Sequence, residues 1–128
     1  MTFAKSLAMR VAIPVADCRV SPVFDSARRL LLVEIGDGAV LTRQEIALDE
    51  MELAPRARRV AELGANTLIC GAISQPLEWL LAASGIDVIP RTCGRAEEVL
   101  SAFLAGTLDQ TRFAMPGCKR RRRFRGGR

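Results

Sequence analysis

Histidine is absent from this sequence of 128 residues. Without imidazole, the Ser-His-Asp and Cys-His catalytic arrangements and histidine-ligated zinc sites are excluded. No apolar run approaches the roughly 20 residues that span a bilayer, and residues 1–8 lack the apolar core expected of a signal peptide. The glycine patterns of P-loops and of dinucleotide-binding folds are also missing, so the sequence carries no nucleotide-binding signature.

Cysteine is sparse, with four residues, and none of them forms a CxxC pair or follows zinc-finger spacing. Because no secretion signal is recognised, we expect reduced thiols in the cytoplasm. A metal bound by this chain would therefore be held by thiolate, thioether, carboxylate or backbone groups.

The sequence does have a hydrophobic body and a basic end. Hydrophobic residues make up 49% of the chain, which is enough for the core of one domain. Residues 119–128 carry seven positive charges and no negative charge, and subtracting these from the net charge of +5 leaves −2 for residues 1–118. We expect an N-terminal extension at residues 1–8, an α/β domain at 9–112 and a flexible tail at 113–128.

The hydrophobic pattern predicts strands at residues 9–15, 29–35, 39–48, 66–70 and 86–89, and helices at 55–63, 75–84 and 95–105. Gly36-Asp37-Gly38 predicts a hairpin turn between the second and third strands. Ser74 is expected to be the N-cap of the second helix, whose inner face is expected to hold Leu77, Leu80 and Leu81.

This order of elements, β-β-β-α-β-α-β-α, predicts a three-layer α/β/α fold with a mixed five-stranded sheet. The ribonuclease-H-like strand order 3-2-1-4-5 is the arrangement we expect. Ligands of open α/β sheets bind outside the carboxyl ends of the strands, where the strand order reverses. We therefore expect a crevice lined by residues 16–27, 71–74 and 91–94, and we call these three segments the rim.

Three cysteines fall where the predicted strands end. Cys93 precedes a helix N-terminus, where the helix dipole favours a thiolate. Cys70 closes the fourth strand and is open to a second interpretation, a small buried apolar residue. Cys18 lies in the first loop and is equally open to being an incidental exposed thiol. Cys118 follows Met115-Pro116-Gly117, and soft sulfur ligands of this kind suit Cu(I), zinc or iron–sulfur species.

The rim is also suited to an anion. The helix N-termini near Ser74 and Arg95 are expected to present backbone N–H groups, and Arg19 and Arg91 add positive charge. An anionic metal–sulfur cluster or a phosphate would both fit these features. Two first-loop residues stay open at this point: Phe24 is a pocket wall or a plug of the sheet end, and the neighbouring aspartate is a hard ligand or a helix cap.

Several short segments, taken in order and spacing, resemble the dinitrogenase iron–molybdenum cofactor biosynthesis family, the NifX/NafY-like domains, over residues 9–118. The segments are residues 9–15, 21–27, 68–74, 85–89, 104–108 and 115–118. The resemblance implies a ribonuclease-H-like domain that binds or carries an iron–sulfur or molybdenum-containing cluster, or a precursor of one, without catalysis. It also implies a cluster-donor or acceptor protein as partner.

The resemblance departs from the family pattern in the first loop. Many relatives have Ser-x-His-Phe-Gly there, whereas this chain has Val23, Phe24 and Asp25 at the corresponding positions. Thiolates therefore become the candidate metal ligands, in the order Cys93, Cys118, Cys70, Cys18. The candidate cluster-binding residues around them are Ser21, Phe24, Gly71, Ser74, Arg91 and Gly94.

Two other functions are compatible with parts of the sequence, a nuclease and a binding module. A two-metal nuclease needs carboxylates that converge on the central strands, but the first and fourth predicted strands contain none, and Asp17 alone cannot hold two metals. An enzyme is therefore not expected. The alternative is binding of nucleic acid or an acidic partner through residues 119–128, where a single aromatic, Phe124, leaves only nonspecific, salt-sensitive affinity. The sequence indicates no oligomeric state.

Overall fold

Residues 9–108 are described by the structure, a computed structural model. The predictions for residues 1–8, for Cys118 and for the basic tail at 119–128 lie outside the described residues. Five consecutive buried residues, Val11 to Val15, form the middle of the first strand. A strand reads as a continuous apolar run when both faces of its sheet are covered, so this strand lies at the centre of the molecule.

The strands are Met9–Ala16 (β1), Arg19–Val20 (β2), Arg29–Gly36 (β3), Ala39–Ala47 (β4), Thr67–Ile69 (β5) and Asp87–Ile89 (β6). The helices are Leu53–Glu62 (α1), Gln75–Ala83 (α2) and Ala96–Ala105 (α3), and Phe24–Ser26 forms a 3₁₀ turn. The predicted strands and helices are confirmed, with ends that differ by one or two residues.

The sheet is mixed and has six strands, where the sequence predicted five. Its path is β4-β3-β1-β5-β6, and the two-residue β2 pairs with β1 away from this path. The pairs β1–β3 and β3–β4 are antiparallel, whereas β1–β5 and β5–β6 are parallel. The carboxyl ends of β1, β5 and β6 therefore meet at one edge of the sheet, which brings the rim together.

Residues 16–27 were expected to be a loop, but they contain β2 and the 3₁₀ turn. Asp17 and Cys18 have φ angles of 53° and 67°, and together they join β1 to β2 in a tight hairpin. A two-residue hairpin loop of this kind requires positive φ at both central residues. The Asp-Cys pair lacks the glycine that usually marks such a turn, which is why the hairpin was missed.

A hydrophobic core lies on each face of the sheet. On one face, α3 packs through Val99 and Leu100 against β1 and β3. On the other face, α1 and α2 pack through Val60, Leu77 and Leu81. We call these the α3 face and the α1–α2 face. The expected inner position of Leu80 is wrong, since 37% of this residue is exposed.

No helix within residues 9–108 is both long enough and apolar enough to cross a membrane.

Candidate functional site

Backbone hydrogen bonds join the three segments of the rim into one surface. The N–H of Phe24 donates to the carbonyl of Ala72 at 2.8 Å, and the N–H of Ala72 donates to Pro22 at 2.8 Å. The N–H of Arg91 donates to the carbonyl of Gly71 at 2.8 Å. These main-chain bonds tie the first loop to the segment after β5, and that segment to the one after β6.

Gly71 is required by the close approach of the first loop. A Cβ atom placed on Gly71 would lie 2.5 Å from the carbonyl oxygen of Pro22 and 2.7 Å from that of Ser21. Real Cβ atoms do not approach backbone oxygens so closely. Ser21 is itself buried, and its N–H donates to the carbonyl of Pro14 at 2.8 Å. Both residues, proposed from the sequence as cluster contacts, therefore have a structural role in seating the loop.

The N-terminus of α2 is occupied by a carboxylate from this chain. Ser74 is the N-cap residue, as expected, but its side chain makes no capping bond. Its backbone N–H donates to Oδ1 of Asp25 at 2.8 Å. Of the two roles open for Asp25, the structure supports the helix cap. A negative charge at this end stabilises the helix, and it also opposes the binding of an anion at the same amide.

The N-terminus of α3 is occupied in part by the hairpin. The N–H of Ala96 donates to the carbonyl of Cys18 at 2.9 Å, and the N–H of Val20 donates to Gly94 at 2.9 Å. Glu97 and Glu98 lie in the first turn of α3. The backbone N–H groups at the two helix N-termini are thus partly hydrogen-bonded within the protein. Arg19 and Arg91 are exposed and contribute positive charge to the rim.

The three described cysteines lie in three different environments. Cys70 is fully buried on the α1–α2 face, and burial raises the pKa of its thiol because the interior disfavours a thiolate. Cys93 is half-buried in the rim between Thr92 and Gly94. Cys18 is exposed on the hairpin turn. Within residues 9–108, no three Cys, Asp or Glu side chains come together as a metal-ion site.

Phe24 lies in the core rather than on the surface of the rim. It is fully buried among the residues of the α1–α2 face, so its ring closes the end of the sheet. The face of the ring is covered by a guanidinium: the Cζ atom of Arg56 lies 5.5 Å from the ring centroid.

Arg56 is a buried charge that sequence reasoning missed. Its side chain is fully buried, and Nη1 donates to the carbonyls of Phe24 at 3.1 Å and Ala27 at 2.8 Å. Burial lowers the pKa of this arginine, while the charges of Asp25 and Glu50 act to raise it. Arg56 therefore fastens α1 to both ends of the 3₁₀ turn in the first loop.

A signal for Arg56 was present in the sequence. Leu53, Ala57 and Val60 mark the inner face of α1, and residue 56 completes the spacing i, i+3, i+4, i+7 with them. An arginine at the i+3 position of an apolar helical face indicates a buried, hydrogen-bonded charge.

A cavity of about 230 Å³ lies away from the rim, on the α1–α2 face. It is lined by β3 and β4 residues, by the C-terminal end of α1 and by Arg10, whose Nη1 donates to the carbonyl of Leu63 at 3.0 Å. Arg10 belongs to the amino end of β1, so this cavity is separate from the rim, and no sequence pattern predicted it.

The fold and the rim define a small mixed α/β domain in which three loop segments meet at the carboxyl ends of β1, β5 and β6. The chain belongs to the dinitrogenase iron-molybdenum cofactor family, which matches residues 8–106. The resemblance drawn from the short sequence segments is therefore confirmed.

The chain is also similar to a curated protein and to solved structures. An uncharacterised protein from Methanocaldococcus jannaschii is 27% identical over 107 residues, which cover 80% of this chain and 91% of the relative. The crystal structure of PH0822 superposes with a TM-score of 0.73 at 27% identity, covering 77% of this chain and 90% of that one. The apo form of the orange protein from Desulfovibrio gigas has a TM-score of 0.66 at 21% identity, covering 83% and 95%, and this likeness concerns the fold alone.

Replacing Gly71 tests the seating of the loop. Gly71→Ala puts a methyl group against two backbone oxygens, and we expect the free energy of unfolding to fall by about 1–3 kcal/mol, as for other overpacked sites. Urea denaturation measures the change. Gly36→Ala is the control, because its added Cβ meets only the flexible end of the exposed Leu41 side chain, at 2.8 Å. Equal effects of the two substitutions would contradict the seating role of Gly71.

Replacing Arg56 tests the fastening of the first loop to α1. Arg56→Met keeps most of the side-chain volume but leaves the carbonyls of Phe24 and Ala27 without their donor. We expect a loss of about 3 kcal/mol in the free energy of unfolding, since hydrogen bonds from charged donors contribute about 1.5–3 kcal/mol each. Arg58→Met, on the exposed side of α1, is expected to change stability little. A similar small effect at both positions would disprove the fastening.

The buried thiol of Cys70 gives a pH-dependent contribution to stability. Its pKa is raised in the folded protein from the ordinary value of 9.0, so the contribution is full below about pH 9 and is lost as the pH rises. The natural chain is expected to exceed Cys70→Ala in free energy of unfolding. Above that pH, this difference is expected to decrease by up to about 1.4 kcal/mol per pH unit. Denaturation between about pH 7 and pH 10 measures the difference. Ile69→Val, which has no ionisable group, serves as the control and is expected to keep a constant difference.

Proposed function

We propose that this protein binds an anionic iron–sulfur or molybdenum-containing cluster, or a precursor of one, at the rim and carries it without chemical turnover. The observation that carries the proposal is the family match over residues 8–106, which covers every segment of the rim. The cluster is cargo, received from a donor protein and passed to an acceptor.

The donor groups of the rim suit a preformed cluster better than a bare metal ion. A bare ion needs three or four protein ligands, and residues 9–108 do not bring three such side chains together. A metal–sulfur cluster already carries inorganic ligands, so it needs few thiolates and a complementary positive charge. Arg19 and Arg91, both exposed in the rim, supply that charge.

Cys93 is the first candidate thiolate because it is half-buried within the rim itself. Cys118 remains the second candidate from the sequence. Cys70 ranks lower, since its thiol would have to leave the core and ionise against a raised pKa. Cys18 is accessible, but its contact with α3 is made through its carbonyl oxygen.

The sheet path and strand directions support the ribonuclease-H-like description of the domain, which we place at residues 9–112. The domain has antiparallel β3 and β4 on one side of β1 and parallel β5 and β6 on the other. We also place the protein in the cytoplasm, where the thiols stay reduced. Neither central strand, β1 or β5, presents a carboxylate, which supports a carrier rather than a hydrolase.

Metal analysis of the full chain tests the proposal. Protein purified without oxygen, and then incubated with iron and sulfide or with tetrathiomolybdate, is measured by elemental analysis and visible absorption. We expect stoichiometric metal and a coloured protein, with loss of both in Cys93→Ser and Cys118→Ser. Cys18→Ser is the matched control and is expected to retain the metal. Natural protein that stays colourless and metal-free after both incubations would refute the proposal.

A further inference from the structure

The strand β4 forms one outer edge of the sheet. Within residues 9–108 it pairs with β3 alone, and each of its nine residues is exposed or half-buried. A long edge strand presents a row of backbone N–H and C=O groups on which another strand can pair. The question is which partner this edge fits.

The hydrogen-bond pattern fixes which residues of β4 direct their backbone outward. The N–H of Leu48 donates to the carbonyl of Arg28 at 2.8 Å, so these two residues form a hydrogen-bonded pair. Such pairs alternate along an antiparallel ladder, which makes Gln44, opposite Leu32, another of them. The N–H and C=O groups of Arg43 and Glu45 therefore point away from β3, toward the open edge.

These two residues have opposite charge and are self-complementary. If two copies of β4 pair antiparallel about a two-fold axis at Gln44, Arg43 lies opposite the partner's Glu45, and Glu45 lies opposite the partner's Arg43. In this register, residues with outward backbone groups face each other, as an antiparallel ladder requires. Side chains that lie directly opposite each other share a face of the sheet, so the opposite charges meet.

The neighbouring registers are unfavourable. An axis at Arg43 places this arginine opposite the partner's Arg43, and an axis at Glu45 places this glutamate opposite the partner's Glu45. Like charges directly opposite each other destabilise a strand pair. The charge pattern of the edge therefore selects the axis at Gln44.

Ion pairs within the chain extend the complementarity. Nε of Arg29 contacts Glu45 at 2.9 Å, and Arg43 contacts Glu97 of α3. In the dimer, Arg43 would contact both Glu97 of its own chain and Glu45 of the second copy. Glu45 would likewise contact both Arg29 of its own chain and Arg43 of the second copy. Negative and positive side chains therefore alternate across the two-fold axis. Charge networks of this kind contribute more than isolated surface pairs.

We propose that β4 is a self-association surface on which a second copy of this chain pairs antiparallel about Gln44. The pairing is closed, because a two-fold axis uses the same edge of both copies, and it yields a dimer rather than a fibre. A bulge at Leu41, where Glu34 faces Thr42 but Ile35 faces Val40, ends the regular part of the edge. An interface made of a single strand edge falls below about 1,200 Å² and gives a weak, concentration-dependent dimer.

Sedimentation equilibrium of the full chain tests the proposal. Between about 10 μM and 1 mM, the range in which small interfaces dissociate, we expect the average mass to rise from that of one chain toward that of two. Arg43→Glu alone and Glu45→Arg alone place like charges opposite each other, so each variant is expected to stay monomeric. Mixed in equal amounts, these two variants are complementary and are expected to form a heterodimer.

The control and the contrary outcomes are definite. Arg58 is exposed on α1, and Arg58→Glu changes the net charge by the same amount as Arg43→Glu. This control variant is expected to associate as the natural chain does. A natural chain that remains a monomer throughout the concentration range would overturn the proposal. So would single variants that associate as strongly as the natural chain, or an equal mixture that shows no heterodimer.

Discussion

The buried guanidinium of Arg56 is the contact on which the geometry of the rim depends. It holds the carbonyls of Phe24 and Ala27, and the loop between them carries Asp25 to the N-terminus of α2. A buried charge is tolerated only when its hydrogen bonds and neighbouring charges compensate for lost hydration. Here two carbonyls, the ring of Phe24 and the carboxylates of Asp25 and Glu50 provide that compensation. One side chain on α1 thus sets the position of the first loop, which in turn contacts β5 and α2.

Many polar groups of the rim are hydrogen-bonded within the chain. Main-chain amides of the three segments bond one another, and a carboxylate of this chain caps α2. The thiol of Cys70 is withdrawn into the core. Cys93 is half-buried in the rim, and Arg19 and Arg91 are exposed there. The open edge at β4 lies on the other side of the sheet path from β5 and β6, so self-pairing there leaves the rim uncovered.

Most of the fold was predictable because its signals are local. Buried runs, helical spacing and the Gly36-Asp37-Gly38 turn each depend on neighbouring residues, and the helices and long strands were predicted within two residues of their ends. The departures concern contacts between residues far apart in the chain. The capping of α2 by Asp25 spans 49 residues, and the bond from Arg56 to Ala27 spans 29. The β2 hairpin was missed for a different reason, since two non-glycine residues adopt positive φ there. The sequence predicted that the cysteines lie near the ends of strands. It did not predict which of their thiols are buried, because burial depends on contacts between distant residues.

Several hydrogen bonds of the rim join main-chain groups only, and these bonds do not depend on the identity of the side chains that the same residues display. Backbone N–H and C=O groups are the same for every residue except proline. Positions such as Cys18, Arg19, Arg91 and Cys93 could therefore change identity while the bonds from Phe24 to Ala72 and from Arg91 to Gly71 persist. The shape of the rim and the side chains that it displays can therefore vary independently at these positions.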